Sequence, residues 1–420
     1  MFALIDCNAF FVSCERVFQP HLERKPVIVL SSNDGCAISR SNEAKALGIQ
    51  MGDPFFKIKD IIKEQGIHVF SSNFSLYGDM SSRVMATLKA FSSSLEIYSI
   101  DEAFLDLKGL PQDELFSYGC TIKKIVKQWT GIPVSVGIGP TKTLAKVANH
   151  VAKRHPAGCH VLLNQGRIET ILKDFPLQKV WGVGPQWSEK LSQFNIKTAF
   201  DLAHRDINWI KKIFNVVLAR TALELKGISC LKLEEISSPK KSIISSRSFG
   251  TPFASFESLR ESVSFHASSL AHKLRTQGSK TSLLSVSLQT KPFGKNERVY
   301  TNTHLVPLLY PSQDTSALIK AAVSALEIIF REGLSYKKAG VMVSNLSPEN
   351  QKQAFLFEEM ESNNSLKRKS LFKTLDKLNL QYGKNSLVFA SEGLHKTWKP
   401  KAQLRSPSYT YHWDQLPRVG

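Results

Sequence analysis

The order of strand-like and helix-like segments over the first 165 residues restricts what this chain can fold into more than any other feature of it. The runs FALIDC, KPVIVL, LEIYSI, AFLDL and IPVSVGI are short and rich in β-branched or apolar residues, the composition of strands. Between them, YGDMSSRVMATLKAF and LFSYGCTIKKIVKQW place apolar residues at helical spacing. With residues 20–75 set aside, the order is strand, helix, strand, strand, helix, strand, the split βαβ arrangement of ferredoxin-like sheets, which predicts a sheet with helices on one face. The stretch set aside has its own strands, PVIVL and CAIS, and a helix from about Asn42 to Leu47 ended by Gly48, so it is expected as a small lobe hung on that sheet.

Beyond residue 165 the pattern changes twice. Residues 166–233 are almost wholly helical, with short turns around WGVGP, FNIKT and KGIS. The segment EEISSPKKSIISSRS, residues 234–247 and one more, is polar and basic and predicts an extended linker. From 248 to 347, LLSVSLQTK, VYTNTHLVPL and KAGVMVSNL read as strands and SALIKAAVSALEIIFRE as an amphipathic helix, a second α+β unit. Residues 348–420 form a tail, and from 362 onward it holds 11 Lys and Arg against 3 Asp and Glu, which predicts a binding tail or a small appended module. A multidomain α+β protein of three or four units suits 420 residues.

The net charge of +19 points to a polyanionic partner, because neutralised phosphates release counterions. Nucleic acid leads that reading. An anionic membrane surface competes with it, but the chain shows no long Lys-rich amphipathic helix to lie on one, and no apolar run of about 18 residues to span one. The N-terminal MFALIDCNAFFVSCERVF carries Asp6 and Glu15 where a signal peptide needs an unbroken apolar run, so the expected location is the cytoplasm, with no membrane partner. The six cysteines are scattered without a CxxC pair, which predicts reduced and mostly buried thiols.

The candidate chemistry lies in carboxylates. Asp6 ends the first strand, and YSIDEAFLDL sets Asp101 and Glu102 where one strand ends and the next begins. In a split βαβ sheet the first strand lies beside this hairpin, so the three carboxylates can converge on one edge. Such a cluster repels itself unless a cation neutralises it, and hard oxygen ligands suit Mg²⁺. Two such ions about 4 Å apart can bind the attacking and leaving oxygens of a phosphoryl displacement. An isolated Asp–Glu pair is more often only a polar hairpin turn, and Asp106 is the weaker candidate, a structural carboxylate further along the strand.

Five ordered motifs weigh more than any one. DCNAFFVSCE, SRSNEAKALGIQMGDP, YSIDEAFLDL, VSVGIGPTKTLAKVANHVAK and VWGVGP occur here in the order found in Y-family DNA polymerases, and FSSNFSLYGDMSSRVM and SRSFG extend the resemblance to the polymerase V branch over nearly the full length. The resemblance implies a palm (1–19 and 76–165), fingers (20–75), a helical thumb with a helix-hairpin-helix (166–233), a linker (234–247), a little finger (248–347) and a basic C-terminal tail (348–420). It implies a translesion DNA polymerase of the SOS response to DNA damage, with Asp6, Asp101 and Glu102 as ligands of two Mg²⁺ ions and the Cys7 carbonyl a further ligand. Phe11 takes the steric-gate position beside Phe10, where an aromatic ring leaves no space for a ribose 2′-hydroxyl. Toward the nucleotide, Lys45 and Asn42 stand where the family has Arg and Tyr, with Ser39 nearby and Lys153 as the palm lysine. Lys45 thus offers a point charge where the family has a bidentate fork.

For DNA, the resemblance and the charge pattern select Gly182 and Gly184, whose backbone N–H groups can approach a phosphate, then Lys190 on the following helix and Lys240, Lys241 and Arg247 of the basic linker. Gln353, Leu356 and Phe357 in QAFLF resemble the peptide by which bacterial polymerases dock on the sliding clamp. The expected partners are primer-template DNA, dNTPs, the sliding clamp, a UmuD-derived subunit and a RecA filament. Two other classes remain open on sequence grounds: another two-metal nucleotidyl enzyme on the same sheet, a cyclase or nuclease, and a non-catalytic DNA-binding scaffold.

Overall fold

The computed structural model describes the chain except for residue 237, residues 291–298, 352–362, 395–397, 399–400 and 417–420, and the side chains of 363–366. The chain divides into two compact units, one of residues 1–237 with 403–420 and the other of 238–402.

In chain order the first unit begins β1 (Phe2–Cys7), α1 (Phe10–Phe18), β2 (Val27–Leu30), β3 (Ala37–Arg40), α2 (Asn42–Ala46), α3 (Phe55–Glu64), β4 (His68–Ser71) and α4 (Phe74–Leu88). It continues with β5 (Leu95–Ile97), β6 (Glu102–Asp106), α5 (Leu115–Thr130), β7 (Val134–Gly139), α6 (Lys142–Ala152) and β8 (Cys159–Val161). Five helices follow: α7 (Gln165–Asp174), α8 (Pro185–Ser192), α9 (Ala199–His204), α10 (Ile207–Ile213) and α11 (Val216–Leu225).

The main sheet has the order β5-β6-β1-β7-β8. Its first four strands are antiparallel neighbours in the ferredoxin-like order expected, and β8 adds a parallel edge strand to β7. The pleat sorts β1 by parity. Ala3, Ile5 and Cys7 share a core with Leu115, Ile122 and Val126 of α5 and with Leu76, Tyr77, Met80 and Val84 of α4. Phe2 and Leu4 face the other way, onto Phe104 and Ala145 of α6. The sheet therefore carries helices on both faces, where the sequence pattern suggested one. Two glycines of VSVGIGP permit this, because α6 lies so close on β7 that a Cβ at Gly137 would sit 2.0 Å from the Asn149 backbone nitrogen and one at Gly139 2.9 Å from that of Ala145. Leu144, Val147 and Ala148 on the far side of α6 share a third core with the helices from α7 to α11.

Residues 20–75 hold the expected strands and the helix before Gly48, which has a φ of +87°. They also hold α3 and β4, which the sequence pattern did not suggest. Their sheet has the order β3-β2-β4 over a small apolar core of Ile28, Leu30, Ile49, Ile58 and Ile67.

The second unit comprises β9 (Ile243–Phe253), α12 (Phe256–Gln277), β10 (Ser279–Thr290), β11 (Thr301–Ser312), α13 (Thr315–Ile329), β12 (Tyr336–Pro348) and α14 (Asn363–Gln381). Its antiparallel sheet runs β11-β10-β12-β9. The segment expected as a linker up to residue 247 is instead half strand: Ile243 is buried in the core and pairs with Val343, because Ile243 and Ile244 supply the β-branched run that its serines obscured. The described part of the tail is divided between the two units. Its helix α14 is tied within the second unit by two forked ion pairs, Arg275 to Asp376 and Arg368 to Asp314, and Trp398 is buried in that unit's core. Residues 403–416 pack in the first unit, where Tyr409 joins the core beside α1. No helix among the described residues is long and apolar enough to cross a membrane.

Candidate active site

The site grows from one register pair. Asp6 lies directly opposite Glu102 in the β1–β6 ladder, on the face toward α6. The Cys7 N–H donates to the Asp101 carbonyl at 2.9 Å, which fixes Asp101 one residue beyond the pair. The Asp101 carboxylate accepts from the Ser99 hydroxyl at 2.6 Å, while that hydroxyl accepts from the backbone N–H groups of Asp101 and Glu102. A hairpin cap thus holds Asp101. Asp106 sits at the far end of β6 opposite Phe2, with Oδ1 accepting from the Lys108 N–H, a structural role.

Cations from α6 face the pair. Lys153 donates to Asp6 at 2.7 Å, and Lys146 donates to Glu102 at 2.9 Å while its ammonium lies 4.3 Å from the Tyr98 ring centre and 5.2 Å from that of Trp181. Lys142, a turn earlier, pairs with buried Glu96. Burial pushes the Asp6 carboxyl up to about 6, against the pull of Lys153 and with the push of Glu102. Losing hydration costs a carboxylate more than one exposed ammonium returns. The donor set of hard oxygens on two adjacent strands fits a divalent cation in chemistry, although no group of three potential ligands stands in metal-binding geometry among the described residues. Cys7 packs its thiol into the core, and burial pushes the thiol's pKa up and keeps it protonated, so only its carbonyl is left for ligation.

Phe10 and Phe11 begin α1 after Ala9, whose φ of +44° is unusual for a residue with a Cβ. Phe10 is 3% exposed and belongs to the core, so its ring has no free face for a nucleotide. Phe11 is half-buried and stacks on Tyr77, with centroids 4.5 Å apart at 15°. In the lobe, the buried Ser39 hydroxyl accepts from the Val12 N–H at 3.5 Å, linking β3 to α1. Lys45 donates to Asn42 at 3.1 Å. Burial lowers the Lys45 ammonium, and Arg40 and Lys153 nearby lower it further. Lys45 is thus within electrostatic reach of Arg40, Lys153 and Asp6.

Lys146 and Arg40 were not singled out from the sequence. Lys142, Lys146 and Lys153 are spaced by four and seven, one face of a helix, so that signal was present. Arg40 lies within the run SRSNEAKALGIQMGDP, but no spacing marks it. Gly182 has φ +84°, and a Cβ at Gly184, the N-cap of α8, would meet nothing within 4 Å, so this backbone is open to approach. Lys190 lies over Trp187 on α8. Lys240, Lys241 and Arg247 are exposed in the second unit, Arg247 on β9. Gln353, Leu356 and Phe357 lie outside the described residues.

Comparison with known proteins closes on one family. Residues 5–150 match the impB/mucB/samB family, residues 240–356 its C-terminal domain, and residues 369–419 a domain of unknown function. Protein UmuC of Salmonella typhimurium is 44% identical over all of both chains, and Protein ImpB of Salmonella typhimurium 43% over 99% of each. A protein named DNA polymerase IV from Pelotomaculum thermopropionicum is 26% identical over 92% of this chain and 94% of its own. Among solved structures, a Y-family DNA polymerase chimera of Dbh and Dpo4 superposes with a TM-score of 0.66 at 21% identity, covering 83% of this chain and 100% of its own. The chain belongs to the impB/mucB/samB family, is related to UmuC from end to end, and is built on the fold of Y-family DNA polymerases.

Proposed function

We propose that this chain is a DNA-templated DNA polymerase for translesion synthesis in the SOS response to DNA damage, transferring nucleotides from dNTPs to a primer 3′-hydroxyl. The observation that carries the reading is the Asp6–Glu102 register pair with Asp101 beside it, faced by Lys45, Lys153 and Arg40. Asp6, Asp101 and Glu102, with the Cys7 carbonyl, are the residues that would hold two Mg²⁺ ions. When bound, such ions neutralise the phosphate charge that develops between attacking and leaving oxygens. With Asp6 and Glu102 committed to such cations, their present partners Lys153 and Lys146 would be free of them, and Lys153 would be placed with Lys45 and Arg40 to bind the triphosphate. Mutual repulsion among those three cations favours a polyanion between them. Asn42 holds Lys45 in place, and Ser39 anchors the lobe to α1. Phe11 presents its ring to the sugar as the gate.

The primer-template is held by phosphate contacts that carry no sequence information: the backbone at Gly182 and Gly184, then Lys190, Lys240, Lys241 and Arg247. The sliding clamp is the partner for Gln353, Leu356 and Phe357. A UmuD-derived subunit and a RecA filament are proposed from kinship alone.

Primer extension with Mg²⁺ on undamaged and abasic templates, with and without those partners, tests the reading. Extension past the lesion that vanishes in Asp101→Asn supports it. Release of a cyclic nucleotide, digestion of the primer, or DNA binding without synthesis under every condition overturns it.

A further inference from the structure

The gate ring does not stand alone. Phe11 and Glu15 occupy one face of α1, four residues apart, and together they grip Tyr77 of α4: Phe11 stacks on its ring, and the Glu15 carboxylate accepts from its hydroxyl at 2.7 Å. Phe74, a turn earlier on α4, meets both rings edge-on at 5.9 and 6.1 Å. Glu15 and Tyr77 are fully buried. A buried carboxylate needs donors, and the second donor to Glu15 comes from the far end of the chain, the Ser406 hydroxyl at 3.1 Å on the same oxygen. The other Glu15 oxygen has no hydrogen-bond partner among the described residues, so these two hydroxyls carry its satisfaction.

The segment around Ser406 is itself anchored at both ends of this cluster. Leu404 exchanges hydrogen bonds of 2.9 Å with Ser71 at the end of β4, along the open edge of the lobe's sheet. Asn73 caps α4 through its side-chain oxygen, and its amide donates to the Ser406 hydroxyl at 3.0 Å. Tyr409 stacks on Phe18 at the other end of α1, 4.7 Å and 5° apart. The tail therefore contacts both helices that carry the gate cluster.

We infer that the C-terminal segment is a positioning element of the nucleotide site, in which Ser406, through Glu15 and Tyr77, holds the Phe11 ring in register and so sets discrimination between deoxyribose and ribose. This rests on the reading of Phe11 as the gate. Without the Ser406 hydroxyl, Glu15 keeps one hydrogen-bond donor in a buried setting, the Tyr77 hydroxyl has a less firmly held acceptor, and the Phe11 ring loses its rigid backing. The ring remains, so selectivity weakens without being abolished.

The test compares rNTP and dNTP insertion on one primer-template for wild type, Phe11→Ala, Ser406→Ala, Ser406→Thr and Tyr77→Phe, each below its melting temperature. Ser406→Ala is expected to raise the rNTP-to-dNTP ratio about fivefold, the weight of one hydrogen bond, with Ser406→Thr at the wild-type ratio. Phe11→Ala should raise the ratio further. An unchanged ratio in Phe11→Ala sinks the gate reading itself. If Phe11→Ala raises the ratio while folded Ser406→Ala does not, or if Ser406→Ala lowers both insertions equally, the tail is only a structural strap and the inference fails. Should Ser406→Ala not fold, Tyr77→Phe keeps the stacked ring and removes the other hydroxyl, and a wild-type ratio there overturns the proposal equally.

Discussion

The main sheet of the first unit and the sheet of the second are built from the same succession of elements and pair their strands differently. Each runs strand, helix, strand, strand, helix, strand. In the first unit the opening strand β1 lies beside the third, β6, in the middle of the sheet. In the second, the opening strand β9 lies at one edge and the third, β11, at the other. At about 4.8 Å per strand, residues at the ends of β9 and β11 are some 14 Å apart, too far to share a cation. At the corresponding place in the first unit Asp6 and Glu102 are direct register partners. Strand order, which the succession of elements leaves open, is what separates a sheet that can do two-carboxylate chemistry from one that can only present a surface.

The sharpest way to break the comparison is at its centre. Asp101→Asn or Glu102→Gln should lower nucleotide addition by a thousandfold or so, about 4 kcal/mol of transition-state stabilisation, while primer-template affinity stays near wild type. Wild-type extension rates in either variant would dissolve the contrast between the sheets.

A recruitment experiment asks what the polypeptide after β12 adds. Replacing Gln353, Leu356 and Phe357 with Ala should leave short-template synthesis intact and remove most of the stimulation by a loaded clamp, roughly a hundredfold loss of effective concentration at the primer end. Undiminished clamp stimulation, or loss of activity without the clamp, rules out docking.

If the second unit presents a phosphate-tracking surface, removing Lys240, Lys241 and Arg247 together should weaken DNA binding about tenfold at low salt. The slope of log affinity against log salt should fall by about 3, with turnover on saturating DNA unchanged. A wild-type slope would place DNA contact elsewhere.

The smallest effect concerns stability within the second unit. His266 of α12 is 1% exposed, shares a 2.8 Å hydrogen bond with Ser245, packs near Trp398, and faces the cations Arg247 and Lys273. Burial, with those charges, pushes its ionisation down to about 3. The unfolded chain therefore binds the extra proton throughout the interval from about 6.5 down to 3. The stability contributed by neutral His266 is complete above that interval and shrinks as pH falls through it, by at most about 1.4 kcal/mol per pH unit. Thermal melts at pH 7 and 5 should show a larger drop for wild type than for His266→Gln. Equal drops would mean the ring is not held neutral.

Much was legible in the sequence because it is written locally. Strand and helix periods, the carboxylates at strand ends, the helix stopped at Gly48 and the ordered motifs depend on neighbouring residues, and they were enough to indicate a ferredoxin-like first sheet, a helical region, a second α+β unit and Asp6, Asp101 and Glu102 as candidates. The lysine face of α6 was written there too, at spacings of four and seven. What only the tertiary structure decided are pairings between distant residues. The second face of the main sheet is covered because Gly137 and Gly139 let a helix approach, the β9 strand exists because Ile243 finds Val343, and Lys146 reaches Glu102 across that same close contact. Ser406 meeting Glu15 across 391 positions leaves no local trace at all, since a hydroxyl and a carboxylate gain a defined partner only when folding removes the water that would otherwise serve both.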